Sequence, residues 1–191
     1  MSLSAMPNIN DAILYFINAA SGQFVFLDWI FIAITTYLVY AVFIGVGAYI
    51  FVYIPLKTTD PFARLRVLAR AGEMAIAVFS TWIIVHAIKI IVALPRPADV
   101  LADINVLSSV NSYSFPSGHA ALTCALATTV YFHHRRLGTL LYAFSLLVAL
   151  SRMYVGVHYP LDVGVGLLLG YVIAKIFHST FRRREAVAQK S

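Results

Sequence analysis

Three short polar stretches carry the residues of this chain that could do chemistry: Lys89 with Arg96-Pro97, then Pro116-Ser117-Gly118-His119, then Ser151-Arg152 followed by His158 and Asp162. All three interrupt apolar sequence. An ionisable side chain in such a setting costs free energy unless it faces a cavity, a partner or a ligand. Three cations, two histidines, a serine beside a glycine and an aspartate are what phosphoryl transfer asks for: charges to hold a dianion, donors for its equatorial oxygens, a nucleophile, and an acid for the leaving oxygen.

The residue types divide those tasks. Lys89 is a compact point charge, whereas Arg96 and Arg152 are planar forks that can grip two phosphate oxygens at once. Ser117 and Gly118 fall where a helix would begin, and there the unpaired backbone N–H groups and the positive end of the helix dipole favour an anion. Glycine lets the backbone come close, and Ser117 adds a hydroxyl donor. His158 precedes Asp162 by four residues, a helical spacing that sets the carboxylate beside the imidazole. A carboxylate on one ring nitrogen fixes the tautomer and leaves the other to attack, so His158 is the expected nucleophile. His119 has no acidic partner in its own stretch and is the expected acid for the leaving oxygen, then the base for water.

Each stretch also has a plain structural reading. Arg96-Pro97 could be a helix stop with a snorkelling arginine, Pro116-Ser117 a helix start, Gly118 a packing glycine, and His158-Tyr159-Pro160 an interfacial turn. Their order and their placement on one face favour a shared site. Other polar residues read as structural: His86 as a packing histidine one turn before Lys89, His133 and His134 as boundary residues beside Arg135-Arg136, and Glu73 as a carboxylate near an interface.

The elements that must position these groups follow from composition. At 61% hydrophobic residues, 12% charged residues and a mean hydropathy of +0.83, the chain lies far from soluble domains, in which about a quarter of residues are charged. It reads as an all-α integral membrane protein forming one domain, residues 1–191, without repeats or linkers. The lone Cys124 allows no disulfide within the chain and reads as a small buried filler. No basic segment precedes the first apolar stretch, so no cleaved secretory signal is expected. Residues 8–20 are too few to cross a core about 30 Å thick and predict an interfacial or partial helix, followed by a turn at Ser21-Gly22-Gln23.

Five spans are predicted, over 29–54, about 71–94, 116–132, about 137–155 and about 159–177. Charge orients them. Of the 14 Lys and Arg residues, all but Lys89, Arg96 and Arg152 fall in or beside segments assigned to the cytoplasm, chiefly 57–70, 135–136 and the Arg182-Arg183-Arg184 tail. The net charge of +6 is therefore a topology signal and not a nucleic-acid footprint. With the C-terminus cytoplasmic, all three polar stretches converge on the outer face.

The full pattern resembles the signature of the type-2 phosphatidic acid phosphatase superfamily, the membrane lipid phosphate phosphatases. It comprises Lys89, six residues, Arg96-Pro97; Pro116-Ser117-Gly118-His119; and Ser151-Arg152, five residues, His158, three residues, Asp162. The resemblance spans residues 89–162 in order and spacing. It implies a phosphatase that uses no metal or other cofactor, with a phosphohistidine on His158 oriented by Asp162, His119 as acid/base, and Lys89, Arg96, Ser117, Gly118 and Arg152 as the phosphate pocket.

The superfamily also holds soluble vanadium-dependent haloperoxidases. That oxidoreductase alternative sits poorly with the spans, and a transporter using buried charge would not explain the His158/Asp162 pair. Among lipid phosphatases, the compact chain and short N-terminal helix resemble bacterial undecaprenyl diphosphate phosphatases of cell-wall carrier recycling. Phosphatidylglycerophosphate and lipid A phosphatases share the signature and remain open. The resemblance implies a bacterial cytoplasmic membrane with the site facing outward, a lipid phosphate substrate and no nucleic-acid partner, and leaves the oligomeric state undetermined.

Overall fold

The computed structural model describes residues 8–108 and 112–188. Seven helices run in order: α1 Ile9–Asn18, α2 Val25–Lys57, α3 Pro61–Val92, α4 Pro97–Val100, α5 Gly118–His133, α6 Arg135–Tyr154 and α7 Pro160–Ala188. No strand occurs among the described residues.

Four segments are long and apolar enough to cross a membrane: Val25–Lys57, Pro61–Val100, Arg135–Tyr154 and Pro160–Arg184. The third predicted span, 116–132, corresponds to α5, which has 16 residues and a rise of about 24 Å, short of a full hydrocarbon core. Its sequence explains its place. Ten of its residues, mostly alanine and threonine with Cys124, are buried, and it packs on α7, α6 and α3. Small side chains let helix backbones approach where lipid supplies no hydrophobic drive for association. On α7, a Cβ at Gly166 would lie 2.6 Å from the Ser117 carbonyl oxygen, and one at Gly170 would collide with the Ala121 carbonyl. Threonines add polar links to α6: Thr123 Oγ1 meets Ser145 Oγ at 2.9 Å, and Tyr142 donates to Thr128 Oγ1 at 2.7 Å.

The outer helices show the complementary pattern. On α2 and α3 large apolar side chains such as Tyr37, Ile44, Phe79, Ile83 and Ile90 are exposed, as lipid-facing surfaces require. α2 departs from α-helical winding over two π segments, Ile34–Leu38 and Tyr49–Tyr53.

Three boundaries differ from the sequence reading. α3 starts at Pro61, not near Ala71, because Asp60 caps it by accepting from Phe62 N and Ala63 N while Pro61 takes the first helical position. Arg64, Arg66 and Arg70 therefore ride on a helix and not in a loop. α7 likewise continues past residue 177 through the arginine tail, since nothing there breaks a helix. α2 begins at residue 25 and reaches Lys57.

α1 is a short helix, as expected; its ten residues rise about 15 Å. It is anchored by Asn18, whose Nδ2 donates to Asn105 O at 2.9 Å and Tyr154 O at 2.8 Å while its Oδ1 accepts from Asn105 N at 2.9 Å. Asn10 Oδ1 accepts from Leu161 N at 3.0 Å. The helix thus braces the α6–α7 turn.

Candidate active site

α3 ends one turn beyond Lys89. Ala93 closes it in the left-handed region at φ 49°, its N–H bonded to Lys89 O at 2.9 Å, and Pro95 and Pro97 prevent continuation. Lys89 Nζ donates to the carbonyls of Tyr113 (2.7 Å) and Ser114 (3.0 Å). Arg96 uses its whole fork: Nε to Ser112 O at 2.7 Å, Nη1 to Val157 O at 2.6 Å, and Nη2 to Ser112 Oγ at 2.9 Å. Two buried cations thereby tie the loop before α5 to the turn before α7.

The start of α5 lies beside them. Ser117 is its N-cap yet makes no side-chain cap bond, and its buried hydroxyl has no partner among the described residues. A serine at this position usually accepts a helix N–H; here both the hydroxyl and the first-turn N–H groups remain for a ligand. Ser117 N donates to Asp162 O at 2.9 Å, locking the start of α5 to α7.

Arg152 comes from the last turn of α6. Its Nη1 donates to Thr35 Oγ1 of α2, and its buried Nε has no partner among the described residues. Thr35, Ser112 and Ser114 are site residues that the motif reading misses. Thr35 lies 117 residues from Arg152 along the chain, and no local pattern joins them.

His158 sits in the turn between α6 and α7, 2% exposed. The turn is made by Gly156 at φ 77°, where a Cβ would meet Asn105 O at 2.5 Å. His158 Nδ1 lies 3.4 Å from Asp162 Oδ2, longer than an ordinary hydrogen bond. The same oxygen accepts from Ser114 Oγ at 2.5 Å and Tyr159 N at 2.9 Å. The four-residue spacing therefore works differently from the expectation: His158 precedes α7, and Asp162 reaches back from its first turn. Burial pushes the His158 pKa below the ordinary imidazole value, with Arg152 and Arg96 adding to the effect and the Asp162 carboxylate opposing it.

Lys89, Arg96, Gly118, His119, Arg152 and His158 all line one cavity of about 630 Å³. Asp162 and Ser117 stand behind this wall. The remainder of the cavity is apolar, bounded by Val39, Tyr40 and Phe43 of α2 and Val78, Phe79 and Trp82 of α3. His86 is on this wall too. It is exposed, its ring centroid 4.5 Å from that of Trp82 and its Nδ1 2.8 Å from Trp82 O, so it is not the packed histidine expected. His133 ends α5, as a boundary residue would, and it and Glu73 meet His178 at the end of the bundle away from the pocket, a contact that the sequence reading does not include.

A cavity whose one end is lined by Lys89, Arg96 and Arg152 and whose remainder is apolar, set in an all-helical bundle with helices apolar enough to span a membrane, defines a membrane protein with a cationic pocket. The chain belongs to the PAP2 superfamily, whose family model matches residues 70–186. It is 32% identical over 95 residues to undecaprenyl-diphosphatase BcrC of Bacillus subtilis, covering 50% of this chain and 49% of that one. To the putative undecaprenyl-diphosphatase YbjG of Escherichia coli it is 33% identical over 110 residues, covering 57% and 54%. In these matches the chain spans about half the length of either relative. The crystal structure of Aquifex aeolicus LpxE superimposes with a TM-score of 0.75 at 26% identity, covering 94% of this chain and 99% of that one.

Proposed function

We propose that this protein is a single-domain membrane phosphatase that removes the terminal phosphate of undecaprenyl diphosphate through a phosphohistidine on His158, without a metal. The observation that carries the reading is the buried His158, with Asp162 behind it, lining a cavity where Lys89, Arg96, Arg152 and the start of α5 converge. The two relatives named as undecaprenyl-diphosphatases support the substrate class.

In the first half-reaction the three cations, the Ser117 hydroxyl and the first N–H groups of α5 hold the terminal phosphoryl group. His158 Nε2 attacks phosphorus in line while the bond to the bridging oxygen breaks. Undecaprenyl phosphate departs, and His119 donates a proton to the leaving oxygen. In the second, His119 takes a proton from water as its oxygen attacks the phosphohistidine, the P–N bond breaks, and inorganic phosphate leaves with His158 restored. The apolar walls from α2 and α3 receive the start of the prenyl chain. With the site on the outer face of a bacterial cytoplasmic membrane and the C-terminus inside, the substrate enters sideways from the bilayer.

The test is phosphate release by detergent-purified protein from undecaprenyl diphosphate, phosphatidylglycerophosphate and a lipid A phosphate. Preference for the first supports the reading, and preference for either of the others reassigns the substrate. Release that is undiminished in His158→Ala overturns the mechanism.

A further inference from the structure

A second cluster of titratable side chains lies far from the phosphate pocket. Glu73 of α3, His133 at the end of α5 and His178 of α7 each turn one donor atom to a common point, all within 4.8 Å of one another. Lys89 lies sixteen residues beyond Glu73, and Asp162 sixteen before His178, so about 24 Å of helix separates the two sites. Glu73 is buried at 4% exposure, within a segment apolar enough to span a membrane. An ionised carboxylate there needs a partner.

The geometry goes beyond a plain ion pair. His178 Nδ1 lies 2.8 Å from Glu73 Oε1, a hydrogen bond. His133 Nε2 lies 3.6 Å from Glu73 Oε2, too far to bond it, and is buried without a hydrogen-bond partner. Hydrogen bonding within the cluster therefore leaves one buried nitrogen orphaned, which is costly. Two ligand atoms held at zinc distances in a tetrahedral shell stand roughly 3.3 Å apart, close to this separation. Phe132 stacks on the His178 ring at a centroid distance of 4.0 Å and 4° between planes, which fixes the ring before any ion binds.

We propose that Glu73, His133 and His178 form a binding site for one divalent transition-metal ion of the zinc class, which staples α3, α5 and α7 at the end of the bundle away from the phosphate pocket. Two imidazoles and a carboxylate suit zinc, and leave a fourth position for water. The ion binds His178 Nδ1 in the tautomer that carries its proton on Nε2, so the ring stays neutral, and it satisfies His133 Nε2. A crevice bordered by Met74, Val130, His133 and His134 gives access. The ion stands outside the phosphoryl-transfer chemistry, so its role is structural.

The experiment uses full-length protein carrying an affinity tag without histidine, stripped with chelator and dialysed. Zinc is added, and bound metal and unfolding temperature are measured. The expected result is one equivalent of zinc per chain and a rise in unfolding temperature. His133→Gln and His178→Gln each weaken binding at least about tenfold and cancel the rise, while His134→Gln retains both. Cobalt(II) added to the wild type gives the visible spectrum of a tetrahedral site, a readout independent of how the variants fold. Absence of stoichiometric zinc in the wild type, or affinity unchanged in the two histidine variants, overturns the proposal.

Discussion

Ser114 Oγ donates to Asp162 Oδ2 at 2.5 Å, and that oxygen is the one facing His158 Nδ1 at 3.4 Å. Ser114 itself is held by Lys89, whose ammonium bonds the Ser114 carbonyl. Lys89, proposed to hold the phosphate, and the aspartate behind the proposed nucleophile thus share one loop residue. Ser114→Ala should slow phosphoenzyme formation about tenfold with little change in KM, as expected from losing one hydrogen bond to a charged group. Asp162→Asn should cost between about 10² and 10⁴ in the same step. Rapid-quench measurement with labelled substrate reads both, and an unchanged rate in Asp162→Asn would remove it from the mechanism.

The hydrogen bond from Arg152 to Thr35 brings α2, which precedes the segment matched by the family model, into the phosphate pocket. Thr35→Val keeps the shape and removes the acceptor. It should lower kcat/KM about tenfold, whereas Thr35→Ser should retain most of it. Equal activity in all three proteins would show that Arg152 needs no anchor.

How far the sequence discloses these relationships depends on their range. The three polar stretches are local, and the residues read from them do converge: six line the cavity, with Asp162 and Ser117 directly behind. Ser114 and Thr35 are ordinary loop and helix residues whose significance arises only from contacts spanning 48 and 117 residues. Glu73 did carry a signal, being an acid inside an apolar helix. Its partners were hidden because His133 merges with a basic boundary and His178 lies 105 residues away. The early start of α3 was legible in principle, since Asp60-Pro61 is a helix-opening pair; the arginines that follow masked it.

The direction of the His158 shift gives a pH prediction. A depressed pKa means that the ring takes up its proton only below the ordinary imidazole range near 6.5, so the attacking nitrogen stays available as pH falls through that range. Phosphoenzyme formation should therefore remain level from neutral pH down past about 6.5. A His158 ring resonance that titrates at that value by NMR would show that His158 behaves as an ordinary exposed histidine, since a fall in rate alone also reports His119 and the substrate phosphate.

Topology is tested by cysteine labelling in a Cys124→Ser background. Asp103→Cys, on the exposed loop at the pocket end, should react with an impermeant thiol reagent added to intact cells. Arg64→Cys, exposed near the start of α3, should not. The reverse pattern would invert the proposed orientation.

Chelation separates the two ends of the molecule. In the proposed mechanism cationic side chains take the place of a metal in holding the phosphate, so EDTA should leave turnover intact at temperatures where the protein stays folded, while lowering its unfolding temperature if zinc was bound. Vanadate, which takes up a trigonal-bipyramidal geometry like that of phosphorus during transfer, should inhibit. Immediate loss of turnover on chelation in protein that remains folded would place a metal in the chemistry.

The two histidines are distinguished by the leaving group each must serve. If His119 protonates the departing oxygen, its loss matters less for an aryl phosphate with an acidic phenol, which leaves unaided, than for an alkyl phosphate such as phosphatidylglycerophosphate, whose alkoxide needs a proton. His119→Ala should then still form phosphoenzyme with the activated aryl ester, trapped under alkaline conditions that preserve phosphohistidine. Hydrolysis of that intermediate should be slow, because the same residue activates water. His158→Ala should give no labelled intermediate with either substrate, since nothing remains to accept the phosphoryl group. Label that persists in His158→Ala and vanishes in His119→Ala would exchange the two roles, and the carboxylate of Asp162 would then be backing a residue other than the nucleophile.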